Sequence, residues 1–541
     1  MPPFKPVLGL QEIVLNHVSH SLRKLCCDCS IFKSDIKYVI DYFDILLPPQ
    51  IQSGICEKFL QDSHRVIYKE MLNEKYLYLC TELHAEFLWI IDCQKLMPSV
   101  LGELDGKQVK SLKMNYAPGQ YDGGEEYAEI ETSREGPLHL YKFLSTLVNL
   151  RSLKCSQLCN NTMLKILSKN CPNLEEISID MCTGVDDDGL FHLCGFAPSA
   201  DCFVDIRGGA VVPSKSGCRK LKKVNLEYTC TGTQGTAILL YLCPNLEELL
   251  VTPDVNFGDV FYLLHGTNPE RHESVKAVYQ LKVMKSYMEL DEDVLSLITK
   301  TCPHLKSITL RCNGVERKDR NILANLLGLK IESLDVMNCS MPALLWYLEL
   351  CGKNIESLTI EHLSMAPMSL IFTRTHLQNI IRTCPNLKKF TLKLNNNPIQ
   401  PDFPYSSFGS NLLYFTTLTH LNLEGLSISV EDLSIFIMKC DYLLELHILI
   451  LNLEILGDNV LYDFLTSGCL QNLKYLFLYR PLLTISGLRR LVKYCPKLQS
   501  VGPLSSWSIS EKEREIFVKE IRVNNWDLNV ASTEMLSMFH I

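Results

Sequence analysis

Along most of the chain the apolar residues fall in one recurring stagger: an apolar residue, a second three positions later and a third two positions after that. It reads Leu150/Leu153/Cys155, Leu174/Ile177/Ile179, Leu221/Val224/Leu226, Leu246/Leu249/Val251 and Leu305/Ile308/Leu310. It continues as Ile331/Leu334/Val336, Ile355/Leu358/Ile360, Leu387/Phe390/Leu392, Leu418/Leu421/Leu423, Leu443/Leu446/Ile448 and Leu473/Leu476/Leu478, and is truncated at Leu498/Val501. The alternation at its end is that of a half-buried strand. Between copies, segments such as "DDDGLFHLC" and "TISGLRRLVKYC" place apolar residues at three- and four-residue spacing, which predicts an amphipathic helix.

Several successive starts lie 24 to 26 residues apart, as from 150 to 174, 221 to 246, 281 to 305, 331 to 355, 418 to 443 and 473 to 498. One strand and one helix per such period is the grammar of leucine-rich repeats. One unit alone cannot cover its own apolar side, so units stack, strands on one face and helices on the other. The predicted fold class is therefore α/β, a leucine-rich-repeat solenoid with a curved parallel sheet and outer helices, preceded by a small helical domain. The organisation expected is a helical head over 1–104, the solenoid over 105–505 and a C-terminal helical cap and tail over 506–541.

Cysteine followed by proline closes many units: "CPNLEE" after Lys169-Asn170, "CPNLEELLV" from Cys243, "CPHLKSITL" from Cys302, "CPNLKKFTL" from Cys384 and "CPKLQSVG" from Cys495. Proline has no N–H and disfavours helix in the residue before it, so it ends the helix and returns the chain to the next strand. A thiol needed in every unit is architecture, and the paired spacing of a zinc site is missing. Four stretches lengthen individual units and read as surface loops: 116–135, 196–217, 252–274 and 395–410.

Strand residues alternating with the buried ones face the concave side. Early units offer polar side chains there, Glu176, Ser178 and Asp180, then Lys223, Asn225 and Glu227. Late units offer His447 and Leu449, then Tyr475, Phe477 and Tyr479, an outward aromatic row and the first candidate for substrate contact. The competing expectation is that the C-terminal segment folds over this row. "SISEKEREIFVKEI" opens with a capping-box pattern, Ser510 and Glu513, and carries Ile516, Phe517 and Ile521 that could seal the last unit.

The head has a different grammar. "GLQEIVLNHVSHSLRKLC" spaces Leu10, Val14 and Val18 by four, with Ile13 and Leu22 widening the stripe into an amphipathic helix. "IKYVIDYFDILL" runs to Pro48-Pro49, and Ile51, Ile55, Phe59 and Leu60 mark a further helix. On periodicity alone this is a cap for the solenoid's open end. "GLQEIVLNHV" also resembles an elongin-binding BC-box, with Leu10, Val14 at the position usually held by cysteine, and Val18. "DILLPPQIQSGICEKFL" resembles the cullin-2 box that follows it, through Leu47, Pro48 and Ile51. Together they resemble the VHL-box of the Zyg/Zer leucine-rich-repeat substrate receptors, without the armadillo domain of that family. The Cys-Pro units themselves are similar to the cysteine-containing repeats of F-box proteins.

The resemblance implies a non-catalytic substrate receptor of a cullin-RING ubiquitin ligase. Its partners would be elongin B/C and cullin-2 at Leu10, Val14, Val18, Leu47, Pro48 and Ile51, and an unknown protein substrate at His447, Leu449, Tyr475, Phe477 and Tyr479. An F-box starting at "LLPPQI", serving a Skp and cullin-1 ligase, and a plain leucine-rich-repeat scaffold are the alternatives.

Composition changes little in this picture. With 541 residues, 47% of them apolar, the chain can bury a large core. A formal charge of −8 argues against a nucleic-acid binder. "MPPFKPVLGL" has no secretory h-region, and "YLLELHILILNLEIL" is broken by Glu445, His447 and Glu454, so no membrane association is expected and the location expected is cytoplasmic and/or nuclear. The 23 cysteines are then reduced thiols. "CCDC" (Cys26, Cys27, Cys29) lacks a partner pair at zinc spacing. No phosphate loop, HExxH, GxSxG or kinase set is found, so neither catalysis nor a cofactor is expected.

Overall fold

The computed structural model describes residues 17–18, 21–22, 38, 55, 86–91, 104–115, 136–196, 217–266, 278–362, 372–394, 412–425, 428–449 and 456–530. The chain forms two compact units. One runs to Lys285 and includes Lys300–Pro303; the other comprises Ser286–Thr299 and the chain from His304.

In the first unit, strands β1 (Phe87–Ile91), β2 (Ser111–Asn115), β3 (Ser152–Ser156), β4 (Glu176–Ser178), β5 (Lys223–Asn225), β6 (Glu248–Leu250) and the start of β7 (Val283–Glu289) pair in sequence order, all parallel. Between them lie helices α1 (Gly136–Thr146), α2 (Asn161–Asn170), α3 (Asp187–Leu193), α4 (Thr233–Leu242) and α5 (Phe257–His265). The second unit repeats the plan with β8 (Ser307–Arg311), β9 (Ser333–Met337), β10 (Ser357–His362), β11 (Lys389–Leu394), β12 (His420–Glu424), β13 (Glu445–Leu449), β14 (Tyr475–Leu478), β15 (Ser500–Gly502) and β16 (Asn529–Val530), again parallel. Its helices are α6 (Glu292–Thr301), α7 (Glu316–Ala324), α8 (Met341–Cys351), α9 (Arg374–Thr383), α10 (Val430–Ile437), α11 (Asp458–Thr466), α12 (Ile485–Tyr494) and α13 (Glu511–Val523). Each unit is a leucine-rich-repeat solenoid, as the stagger predicts.

Parallel register stacks equivalent residues into buried columns. Leu358, Phe390, Leu421, Leu446, Leu476 and Val501 form one, and Ile360, Leu392, Leu423, Ile448 and Leu478 another. Each such side chain is worth about 1.5–3 kcal/mol in burial. Just before the strands of the first unit, basic and acidic residues alternate from repeat to repeat: Arg151 and Lys222 both reach Glu175, and Lys282 pairs with Glu247. In the second unit Lys306 pairs with Glu332 and Lys388 with Glu356, while Glu332 and Glu356 precede adjacent strands. Such exposed pairs add little stability. Just beyond the strand segment the backbone turns through positive φ at Gln157, Met181, Tyr228, Asn338, Gly425 and Arg480. The same turn recurs at these six positions although only one of them is glycine.

The Cys-Pro closure is a tight turn. Cys171, Cys243, Cys384 and Cys495 each cap a helix, their N–H donating to the carbonyl four residues back. Their own carbonyls accept from Leu174, Leu246, Leu387 and Leu498 three residues on. Proline then occupies the second turn position, where its fixed φ fits. The thiols are buried and several donate across to the preceding repeat, Cys171 to the Leu147 carbonyl at 3.2 Å and Cys440 to that of Phe415 at 3.2 Å.

Three expectations change. Strand pairing already begins at Phe87, inside the segment assigned to the head, because Leu88 and Ile90 supply the buried alternation without a Cys-Pro closure before them. The stretch 252–274 is not all loop: Asn256 caps helix α5, whose Phe257, Val260, Phe261 and Leu264 are buried. Repeat pairing also runs past 505, to β16. The other three proposed loops lie mostly outside the described residues. Among the described residues no helix is long and apolar enough to cross a membrane.

Candidate functional site: the concave cavity of the late repeats

The alternation that buries Leu421, Leu423, Leu446 and Ile448 turns His420, Asn422, Glu424, Glu445, His447 and Leu449 to the opposite face. Register sets them in rows: Lys389, His420, Glu445 and Tyr475 in one, Thr391, Asn422, His447, Phe477 and Gly502 in the next. Apart from Tyr475 and Gly502, these residues line a cavity of about 270 Å³ together with Glu424, Tyr479 and Pro503.

Glu445 lies at its centre. One carboxylate oxygen is 2.8 Å from His447 Nε2 and the other 3.4 Å from His420 Nε2. The hydrogen bond from His447 holds the Glu445 carboxyl below its ordinary range against the opposing effect of burial. Burial pushes His420 below the ordinary imidazole value, with Glu445 pulling the other way. His420 Nδ1 is 2.8 Å from Thr419 Oγ1. On the adjacent row Glu424 takes a hydrogen bond from Asn422 at 2.7 Å and pairs with Lys393 at 3.2 Å. Burial raises the neighbouring Glu361 carboxyl; Lys393 opposes this, and Glu424 and Asp335 add to it.

The aromatic row is not the outward strip expected. Phe477 is only 8% exposed, its ring centroid 4.5 Å from that of His447. Gly502, opposite it on β15, contributes no side chain, so Phe477 lies against its histidine neighbour and the Pro503 segment. Tyr475 stands exposed, while His447, Leu449 and Tyr479 are half-buried. The Arg480 guanidinium lies 5.1 Å over the Tyr479 ring.

The described part of the C-terminal segment does not cross this face. Helix α13 carries the expected capping box at Ser510 and Glu513 and is tied to α12 by Arg489–Glu520, while β16 adds to the sheet. Phe517 and Ile521 are buried in it, whereas Ile516 is 43% exposed. Trp507 donates from its indole to the Leu478 carbonyl at 2.9 Å, fixing the turn beside the cavity.

Of the adaptor residues read from the sequence, Val18 is helical and half-buried. Leu10, Val14, Leu47, Pro48 and Ile51 lie outside the described residues. His420, Asn422, Glu424 and Glu445 were missed in the sequence although they hold alternating strand positions; what singles them out is one carboxylate shared by imidazoles from two strands, which only register reveals.

Among the described residues, one group has metal-like spacing: Cys312, Asp319 and Cys339, all buried, with ligand atoms within 4.8 Å of one another. The Asp319 carboxylate already accepts the backbone N–H of Ser340 at 2.8 Å and of Asn313 at 3.3 Å. A hydrogen bond with Cys312, then burial, hold the Cys339 thiol protonated. The donor set is thus engaged in joining two repeats, and the protonated Cys339 thiol suits a metal poorly.

No family model matches the chain, and no curated protein matches it. Among solved structures, the chain is similar to the crystal structure of a yeast Rad7 and Elc1 complex, with 14% identity and a TM-score of 0.44, over 94% of this chain and 100% of that one. It is also similar to an internalin from Listeria monocytogenes, with 13% identity and a TM-score of 0.30, over 76% of this chain and 92% of that one. At such identities and TM-scores neither likeness bears on what this chain does.

Proposed function

We propose that this chain is a non-catalytic substrate receptor of a cullin-RING ubiquitin ligase, gripping elongin and cullin-2 through its N-terminal segment and a protein substrate through the concave face of the late repeats. The observation that carries the reading is the order of the parts in the sequence: a BC-box-like pattern at Leu10, Val14 and Val18, a cullin-box-like Leu47-Pro48 and Ile51, then a repeat array. A one-sided apolar helix with anchors four residues apart suits a partner's groove. The receptor's contribution to the reaction would be proximity, holding a substrate lysine near an active centre borne by another subunit.

Affinity purification of the full chain tests this. Elongin C and cullin-2 are the expected partners. Leu10→Asp combined with Val14→Asp should abolish their recovery while the thermal melt is unchanged, and undiminished recovery would remove these residues from the interface. Skp and cullin-1 in their place would make the head an F-box, and neither pair would leave a scaffold.

A further inference from the structure

We infer that the concave cavity between β11 and β15 receives an arginine side chain of the protein substrate, its guanidinium paired with Glu445 and laid against the aromatic wall of Phe477 and Tyr479. The inference rests on the proposed reading of this face as the substrate-binding one. It is tested by binding alone, with no ligase subunit present, so either can fail without the other.

Size is the first support. Pockets for whole small-molecule ligands begin at about 300 Å³. A cavity of about 270 Å³ on an open sheet face matches one large side chain of an extended polypeptide.

Charge is the second. Asp335, Glu361, Glu424 and Glu445 face this part of the sheet against Lys389, Lys393 and, over the Tyr479 ring, Arg480. Of these Glu424, Glu445 and Lys389 line the cavity itself, two carboxylates to one lysine. An anionic guest would have to lie beside Glu424 and Glu445, both of which line the cavity.

Chemistry is the third. A carboxylate has about four lone-pair sites, and each Glu445 oxygen has one imidazole nitrogen near it, at 2.8 and 3.4 Å. The Glu445 side chain is 29% exposed, so a guest can reach it. A planar fork of N–H donors fits such a carboxylate and also stacks on aromatic rings, which an ammonium group does less well. Arginines of the chain itself lie over rings in this way, Arg480 over Tyr479 and Arg490 over Tyr462 among them.

The His420 imidazole makes recognition pH-dependent. The groups facing it are Lys389 on β11, Thr419 beside it on its own strand segment, and Glu445 and His447 on β13. Acidification charges His420 while Glu445, held below its ordinary range, stays ionised. The charged imidazole then competes with the guest for Glu445, so a cation should bind less well as pH falls.

The experiment uses the full chain and four small probes: N-acetyl-N′-methylamides of arginine, lysine, leucine and glutamate. Binding is followed through the NMR signals of the His420 and His447 imidazoles, assigned with His420→Gln and His447→Gln. Saturable shifts are expected with the arginine probe, about tenfold weaker with lysine and with Glu445→Gln, equivalent to about 1.4 kcal/mol. Phe477→Leu, which keeps an apolar wall but no ring, should weaken arginine relative to lysine. Lowering the pH from 7.5 to 5.5 should weaken arginine as well. The proposal is overturned if the arginine probe gives no saturable shift, if glutamate binds as well or gains on acidification, or if Glu445→Gln leaves arginine binding unchanged in a protein with a normal melt.

Discussion

At the scale of single residues, the thiols and the polar concave side chains behave oppositely. Burial drives Cys171, Cys302, Cys440 and Cys495 up to about 12, and Cys384 to about 11, so in the native state they are neither nucleophiles nor ready ligands. Brief treatment with iodoacetamide at pH 8 should therefore leave peptides carrying these cysteines unmodified and label exposed Cys230, as read by mass spectrometry. Rapid native-state labelling of Cys171 or Cys495 would contradict their burial. The architectural role of the thiols was legible because the Cys-Pro pair recurs. The Glu445 cluster was not, because "HLNLE" and "ELHIL" look alike until register places His420 and His447 on either side of one carboxylate.

At the scale of elements, three helices are secured at their starts partly by a neighbour. The first residue of one helix accepts a backbone N–H from the loop opening the next: Asn161 from Asp186, Asp187 from the N-cap Gly232, and Asp458 from the N-cap Thr484 at 3.0 Å. Room for these side chains comes from a glycine in the next helix. A Cβ on Gly189, Gly235 or Gly487 would meet Asn161, Asp187 or Asp458 oxygens respectively at contact too close to hold. Asp458→Ala should thus cost about 1–2 kcal/mol, measured by urea unfolding, because Thr484 loses a partner and α12 a support. Gly487→Ala should destabilise too, despite alanine's better helix propensity, since Asp458 must leave its hydrogen bonds to Thr484. A gain in stability from Gly487→Ala would show that Asp458 gives way freely. The glycines stand in plain view in "DDDGLFHLC" and "TISGLRRLVKYC", but their purpose depends on a side chain about a repeat away in sequence. Helix α5 escaped notice for a related reason: it lies in a stretch whose length broke the repeat spacing.

At the scale of the whole molecule, a repeat array is stabilised by its own repeats and by the interfaces between neighbours. Leu421 sits in register between Phe390 and Leu446. Leu421→Ala should cost about 2–5 kcal/mol. Hydrogen exchange should rise most in β11 to β13 and fade with distance along the array; a uniform rise over every strand of the unit would mean that it unfolds as one block. The sequence by itself determined the α/β repeat plan, its parallel strands, the buried columns and the structural use of cysteine, because these follow from a periodicity that each unit restates. Tertiary structure alone decided that Phe477 turns inward against His447, that Glu445 is shared by two imidazoles, and that α13 joins the helix side and leaves the concave face open. Those outcomes depend on which residues stacking brings side by side, and nothing in the order of the chain marks a neighbour about a repeat away.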